Sequence, residues 1–311
     1  MIISASRRTD IPAYYADWFL NRLHDGYVLV RNPMNAHSVS RVKLTPDVLD
    51  GIVFWTKNPI PMLGIIDAIK ETQYYFQFTL TPYGEDIEPN IPSKEDVIIP
   101  SLIKLSDKIG AERIVWRYDP LILNSRYTYE FHCQNFENMA KKLKGKVRKC
   151  TFSFLDLYQN TMRNAKLIGL QTLSQSEMLE IARLLSQIAS AYEIKLDTCA
   201  EQIDLSAFGI GHAHCIDQTI FEDLLGCSLM IEKDKNQRQE CGCVASIDIG
   251  VYNTCPNGCL YCYANYNSGM VASSYCQHDP NSPMLIGHVS ADDKVTDRKV
   301  QSYKDKQMRL F

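Results

Sequence analysis

Several things are scarce in this sequence. No apolar run approaches the ~18 residues that a membrane-spanning helix needs, so no span is expected. The opening MIISASRRTD lacks a basic head, a long apolar stretch and a small-residue cleavage site. A secretory signal is therefore not expected, and the chain reads as cytoplasmic with no membrane attachment. Charge of one sign is not in excess: 33 Lys and Arg against 36 Asp and Glu leave a formal −3. That total neither demands nor excludes a nucleic-acid partner, because a local basic groove can sit inside a neutral sum. No low-complexity linker occurs before residue 265, which favours one domain over 1–265. Residues 266–311 then read as a C-terminal loop (YNSGMVASSYCQHDPNSPM) and a charged tail, Asp292–Phe311.

Cysteine is also missing from the first part of the chain. None precedes Cys133, yet five of the eleven fall between Cys241 and Cys262. In a reducing compartment such a cluster favours metal binding or redox chemistry over a disulfide framework.

Runs rich in β-branched and aromatic residues recur at 2–6, 27–31, 51–56, 74–81, 113–118, 150–156, 194–198 and 246–252. Most are nearly continuous in apolar residues, as parallel strands buried on both faces are. Segments with helical apolar spacing lie between several of them: Ala13–Leu23, Pro59–Glu71, Lys94–Ile109, Tyr129–Leu143 and Gln175–Tyr192. The last opens with a Ser174-x-x-Glu177 capping box. Eight strands alternating with helices predict an α/β fold of the TIM-like (β/α) barrel type. Polar residues close these strands: Arg7, Arg8 and Asp10; Arg31 and Asn32; Thr56, Lys57 and Asn58; Arg117 and Asp119; Asp156; Asp197 and Glu201; Asn253. In such barrels that end carries the active site, so a polar pocket is expected there. Arg7, Arg8, Asp10 and Lys57 are its candidate substrate contacts, serving either nucleic-acid phosphates or a small anionic metabolite.

Cys255-Pro-Asn-Gly-Cys259-Leu-Tyr-Cys262 follows directly on the last strand candidate. Three thiolates on one loop can hold three irons of a [4Fe–4S] cluster and leave the fourth open. An open iron is what S-adenosylmethionine (SAM) chemistry needs. The amino and carboxylate groups of SAM chelate it, and an electron then cleaves the sulfonium to give a 5′-deoxyadenosyl radical.

The spacing, with an aromatic before the third cysteine, resembles the signature of the radical SAM superfamily. That resemblance implies an enzyme in which Tyr261 packs beside the adenine and a reducing partner such as flavodoxin or ferredoxin supplies the electron. In that superfamily the motif usually follows the first strand, whereas here it follows the last. A barrel brings its last strand beside its first, so the chain resembles a circularly permuted radical SAM barrel. Its SASRRTDIP at 4–12 and CxCxxSxDIGxYxxCxxGCxYCYA at 241–264 also resemble an uncharacterised bacterial domain family with a C-terminal cysteine loop. Arg117 and Asp119, in TrpArgTyrAspPro, resemble a strand-end element of spore photoproduct lyase. The likeness implies an Arg on the SAM carboxylate and an Asp on the ribose; an internal ion pair is the plainer alternative.

The other reading of the loop is a zinc or Fe–S protein without SAM chemistry, with Cys243 or a histidine as fourth zinc ligand. A zinc site usually pairs two short hooks, and Cys241-Gly-Cys243 is too tight for one. Cys199, Cys215, Cys241 and Cys243 form a second set able to ligate another [4Fe–4S] cluster. Alternatively, Cys199 and Cys215 are simply buried small hydrophobes. Cys133, Cys150 and Cys227 read as packing residues, and Cys276 as a loop residue. His212 and His214 read as metal or substrate ligands, or as solvated turn residues. The terminal Gln307-Met-Arg-Leu-Phe311 resembles the short peptides that dock bacterial DNA-repair and replication proteins on the sliding clamp. Gln307 would fix register, and Leu310 and Phe311 would be the apolar anchors. A tail folded back on the barrel is the alternative.

Overall fold

A computed structural model describes residues 1–155, 159–238 and 240–305. The first strands are β1 Ile2–Ala5, β2 Tyr27–Asn32, β3 Asn35–Lys43, β4 Gly51–Thr56, β5 Tyr74–Thr79 and β6 Ile114–Leu121. They are followed by β7 Lys149–Phe154, β8 Lys195–Thr198, β9 Gly211–His212, β10 Ile247–Asp248 and β11 Lys294–Asp297. Among the described residues, eight strands form one parallel sheet in the order β10-β1-β4-β5-β6-β7-β8-β9. β9 and β10 stand at its two ends, and among the described residues no pairing joins them into a ring. The fold is thus an α/β protein built on a large parallel sheet.

The sheet is apolar on both faces because both are covered. Side chains alternate across a strand, so neighbouring residues serve different layers. Ile3, Phe54, Phe76 and Trp116 pack with Trp18, Phe19, Leu102, Phe136 and Leu185 of the helices between strands. The alternate set, Ile2, Val53, Tyr75 and Val115, packs with Ile216 and Phe221 and with the thiols of Cys215, Cys241 and Cys243. Each such aromatic or aliphatic side chain, once buried, contributes roughly 1.5–3 kcal/mol. The helix Gln218–Leu225 brings Phe221 against β4 so closely that a Cβ on Gly51 would lie 2.0 Å from its ring. Only glycine fits there.

The connecting helices follow their local signals. Thr128 caps Tyr129–Leu143, and Ser174 with Glu177 forms the full capping box that opens Gln175–Ala191. Lys94–Ile109 runs as a π turn continued by an α-helix. Pro59–Glu71 breaks into a short α-helix, Ile60–Leu63, and a 3₁₀ turn, Ile66–Ile69.

Three expectations need correction. The strand at Tyr27 does not join the main sheet but pairs with β3, which also receives β11. Arg31 and Asn32 consequently lie away from the pocket, with Arg31 2.5 Å from Asp293. The eighth strand is instead β9, just two residues, paired through Asp197↔Gly211 and Thr198↔His212. The stretch read as loop after residue 265 contains a helix, Ser268–Cys276, capped by Asn267. Within the described part of the charged tail, Ser302 Oγ and the Tyr303 backbone donate to Asp50, and the Gln301 carbonyl accepts from the Met1 amino group. Asp156, Gln307, Leu310 and Phe311 lie outside the described residues. No helix among the described residues is long and apolar enough to cross a membrane.

Candidate functional site

The C-terminal ends of the parallel strands converge on a cavity of about 460 Å³. Every strand of the main sheet sends residues into its wall, from Arg7 after β1 to Cys215 after β9 and Cys255 after β10. That is the end at which parallel α/β folds bind ligands. Of the strand-end residues singled out above, Arg7, Arg8, Asp10, Thr56, Lys57, Arg117 and Asp119 line it. So do all three cysteines of the 255–262 loop and all four of the second set.

The 255–262 loop is held by its neighbours on every side. Tyr15 Oη donates to the Thr254 carbonyl, Asn265 Nδ2 to the Cys255 carbonyl and Asn90 Nδ2 to the Pro256 carbonyl. Tyr14 Oη donates to Asn257 Oδ1 at 2.6 Å, and Asn257 Nδ2 reaches Asp10 at 3.4 Å. Leu260 is pinned at both backbone groups, its N–H by Ile87 and its carbonyl by Asn164. Gly258 turns the loop at φ +70°, a conformation that disfavours side chains. Burial pushes the Cys255 and Cys262 thiols up, and that of Cys259 to about 12.

Beneath the loop lies a buried ion network that the sequence reading missed. Glu88 accepts from Lys57 Nζ at 2.7 Å, Thr81 Oγ1 at 2.8 Å, Lys94 Nζ and the Tyr261 hydroxyl. Burial alone would raise its pKa, but the two ammonium groups outweigh that and hold it at about 2. Lys57 and Tyr261 are therefore both tied to one carboxylate. Asp10 caps the helix Ile11–Tyr14 and accepts from the Lys57 backbone at 2.8 Å; burial pushes its carboxyl up to about 6. Arg8 lies over the Tyr252 ring and donates to the Gly250 carbonyl.

The four thiols of the second set also come together. Cys199 Sγ and Cys215 Sγ are 3.4 Å apart, and Cys241 and Cys243 line the same cavity. Tyr75 and Gln77 on β5 each bind the Cys215 carbonyl at 2.8 Å, and the Ile216 N–H points at Cys243 Sγ. A Cβ on Gly242 would sit 2.3 Å from the ring of His214, an exposed side chain that lies over this turn. Arg117 Nη1 donates to Cys215 Sγ at 2.9 Å, and its Nη2 pairs with Asp119, which also accepts from Ser153. Hydrogen bonds from Cys199 and Cys243, helped by Arg117 and Arg7, hold the Cys215 thiol well below its ordinary value. Arg7 and Arg117 both lie over the Trp55 ring, at 5.6 and 5.2 Å. Arg7 Nη2 and Trp55 Nε1 are buried donors without a hydrogen-bond partner.

Among the described residues, no three His, Cys, Asp or Glu side chains stand ready around one point to hold a single metal ion. A cluster makes a different demand. Each thiolate binds its own iron, so the sulfurs spread over the corners of a larger body. The three thiols of the 255–262 loop, all facing one cavity, have the donor chemistry for that body, whereas Cys199 and Cys215, with sulfurs 3.4 Å apart, stand closer than two of its corners. Of the other cysteines, Cys150 is buried, Cys133 and Cys227 are half-buried, and Cys276 is exposed on its helix. His212 and His214 are exposed, and His214 packs over Gly242.

The fold and the site define an α/β protein whose parallel strand ends enclose a cavity lined by thiols and guanidiniums. The chain belongs to the family described as a domain of unknown function, DUF1848, whose model matches residues 2–264. No curated protein matches it.

Proposed function

We propose that the chain is a radical SAM enzyme, with Cys255, Cys259 and Cys262 holding a [4Fe–4S] cluster and SAM bound at its open iron. The observation that carries this reading is the placement of the CxxxCxxC loop. It follows an edge strand of a parallel sheet, beside β1, and faces the one cavity into which every strand of that sheet sends residues. The superfamily usually has its loop after the first strand, so a permuted barrel accounts for the order. Held there by Cys255, Cys259 and Cys262, the cluster would supply the one-electron reductive chemistry on SAM that hydrogen-atom abstraction from a substrate needs.

The chain's own residues have separable tasks. Asn90 and Asn265 fix the loop backbone, and the Asn257 side chain ties the loop to Tyr14 and Asp10. Tyr261, fastened to Glu88 and edge-on to Tyr83, presents a fixed ring for an adenine. Arg117 is already engaged by Cys215 and Asp119, which favours work at the second thiol set over a contact with the SAM carboxylate. Lys57, Asp10 and Arg8 likewise have protein partners. Arg7 and Trp55 keep unpaired donors, which makes them the best-placed contacts for an anionic or acceptor-rich substrate. Walls drawn from eight strands keep water and stray side chains from a reactive species. A nucleic-acid substrate and clamp docking by 307–311 rest on sequence resemblance alone. Deleting those residues should abolish clamp binding in a pull-down and leave SAM cleavage intact.

The test is anaerobic reconstitution with iron and sulfide, then dithionite and SAM, assaying 5′-deoxyadenosine beside Cys259→Ala. Deoxyadenosine in the wild type alone supports the proposal. A well-formed cluster whose EPR spectrum and products ignore SAM overturns it, as does a colourless protein that takes up zinc and no sulfide.

A further inference from the structure

Two of the cavity's thiols stand as a pair that the proposed reaction leaves unused. Cys199 Sγ and Cys215 Sγ are 3.4 Å apart, and both residues line the cavity. Two neighbouring strands bring them there. Cys199 follows β8 directly, Cys215 comes just after β9, and the Ala213 N–H donates to the Thr198 carbonyl between the two. The backbone is anchored on each side. The Cys199 N–H donates to the Phe152 carbonyl at 2.9 Å, and Tyr75 Oη and Gln77 Nε2 on β5 each donate to the Cys215 carbonyl at 2.8 Å. Sulfurs in a disulfide are about 2.05 Å apart, so small side-chain rotations close the gap. The two thiols are not equivalent. Arg117 Nη1 donates to Cys215 Sγ at 2.9 Å, and a guanidinium there favours the thiolate, which is the nucleophilic form. Cys215 is buried, whereas Cys199 is half-buried. Cysteines serving only as small hydrophobes have no use for a buried cation.

We propose that Cys199 and Cys215 are a redox-active dithiol that hydrogen peroxide entering the cavity oxidises to a disulfide, with Cys215 as the attacking thiolate and Cys199 as the resolving thiol. First, Cys215 Sγ attacks one peroxide oxygen and the O–O bond breaks. The leaving hydroxide takes the proton that the Cys215 thiol gave up and departs as water, and Cys215 becomes a sulfenic acid. Cys199 Sγ then attacks the Cys215 sulfur: the S–S bond forms, the S–O bond breaks, and the hydroxyl leaves with the Cys199 proton as a second water. Two electrons pass from the sulfurs to the peroxide, so two thiols and one peroxide give one disulfide and two waters. A cavity of about 460 Å³ has ample room for so small an oxidant. Closure takes the anionic sulfur away from Arg117 and leaves it Asp119 as its acidic partner, so the oxidation state of the pair sets the charge of this wall. The pair acts through its own geometry and does not need SAM chemistry.

The full chain, purified anaerobically and reduced, is treated with a few equivalents of hydrogen peroxide and quenched with iodoacetamide. No Lys or Arg lies between Cys199 and Cys215, so trypsin is combined with a protease that cuts after acidic residues, Glu201 among them. Non-reducing mass spectrometry should then find a peptide that joins Cys199 to Cys215 and that dithiothreitol separates. Cys199→Ser should instead accumulate a Cys215 sulfenic acid that dimedone traps. Cys215→Ser should slow oxidation at Cys199 by about tenfold or more. The wild-type linkage carries the test if either variant does not fold. Recovery of Cys199 and Cys215 as alkylated thiols overturns the proposal, as does linkage of Cys215 to Cys241 or Cys243, or oxidation to sulfinic acid without linkage. The readout is a bond between two named peptides, so it is obtained whether or not the chain cleaves SAM. A linked pair in a protein that makes no deoxyadenosine would sink the enzyme assignment alone.

Discussion

The Lys57 ammonium lies 2.7 Å from Glu88 Oε1, the same oxygen that receives the Tyr261 hydroxyl. The end of β4 and the aromatic residue of the cysteine loop are thereby fastened to one carboxylate, with Lys94 on its other oxygen.

Glu88→Gln should cost about 3–5 kcal/mol at neutral pH, because it leaves two buried ammonium groups without their counter-ion. The pH dependence has a definite sign. Glu88 sits at about 2 in the folded chain against an ordinary 4.5, so its contribution is complete above 4.5 and disappears as pH falls through 2. Urea unfolding across that window should show the variant's curve flatter than the wild type's. Parallel curves would contradict the pairing.

Asn257→Ala removes the acceptor for Tyr14 and the contact with Asp10 inside the cysteine loop. Two polar groups lose partners, at roughly 1–3 kcal/mol each where they are buried. The reconstituted variant should lose its SAM-responsive iron to a chelator several-fold faster. An unchanged rate would mean that the remaining anchors suffice.

Arg117→Gln takes away the cation beside Cys215 and leaves Asp119 with Ser153 as its remaining partner. The Cys215 sulfur and the Asp119 carboxylate each lose a buried donor, so a loss of about 1–3 kcal/mol is expected in urea unfolding. An unchanged midpoint would mean that neither contact contributes to stability.

Gly51→Ala drives a methyl group into the Phe221 ring, which a rigid helix cannot fully yield. A loss of about 1–3 kcal/mol is expected from overpacking, read from the denaturation midpoint. Pairing it with Phe221→Leu should recover part of that loss. No recovery would place the strain elsewhere.

How much the sequence disclosed depends on the kind of signal each element carries. β1, β4, β5, β6 and β7 stood out because both of their faces are buried, which writes a continuous apolar run. Tyr27–Asn32 writes nearly the same run but spends it on a small hairpin, and only pairing tells the two apart. β9 writes nothing, since Gly211 and His212 are exposed and owe their strand state to β8. The helix Ser268–Cys276 has no apolar stripe to betray it; its one signal is Asn267, which caps Met270. At the site, the spacing of Cys255, Cys259 and Cys262 is local and therefore readable. Glu88 is a single acid in a loop, and its two partners at the cysteine-loop side lie 31 and 173 positions away, with no pattern to connect them.

The pairing of β1 with β10 also decides what can happen while the chain is being made. Ser4 and Asp248, partners across that edge, are 244 residues apart. At typical elongation rates of ~5–20 residues per second, the first strand leaves the ribosome tens of seconds before its neighbour exists. Tyr14, Tyr15 and Asn90, which will grip the cysteine loop, are likewise early products awaiting a late one. When four fifths of the chain has been made, Cys255, Cys259 and Cys262 are still to come. A ribosome stalled before Ile247 therefore leaves β1 without its partner on that edge.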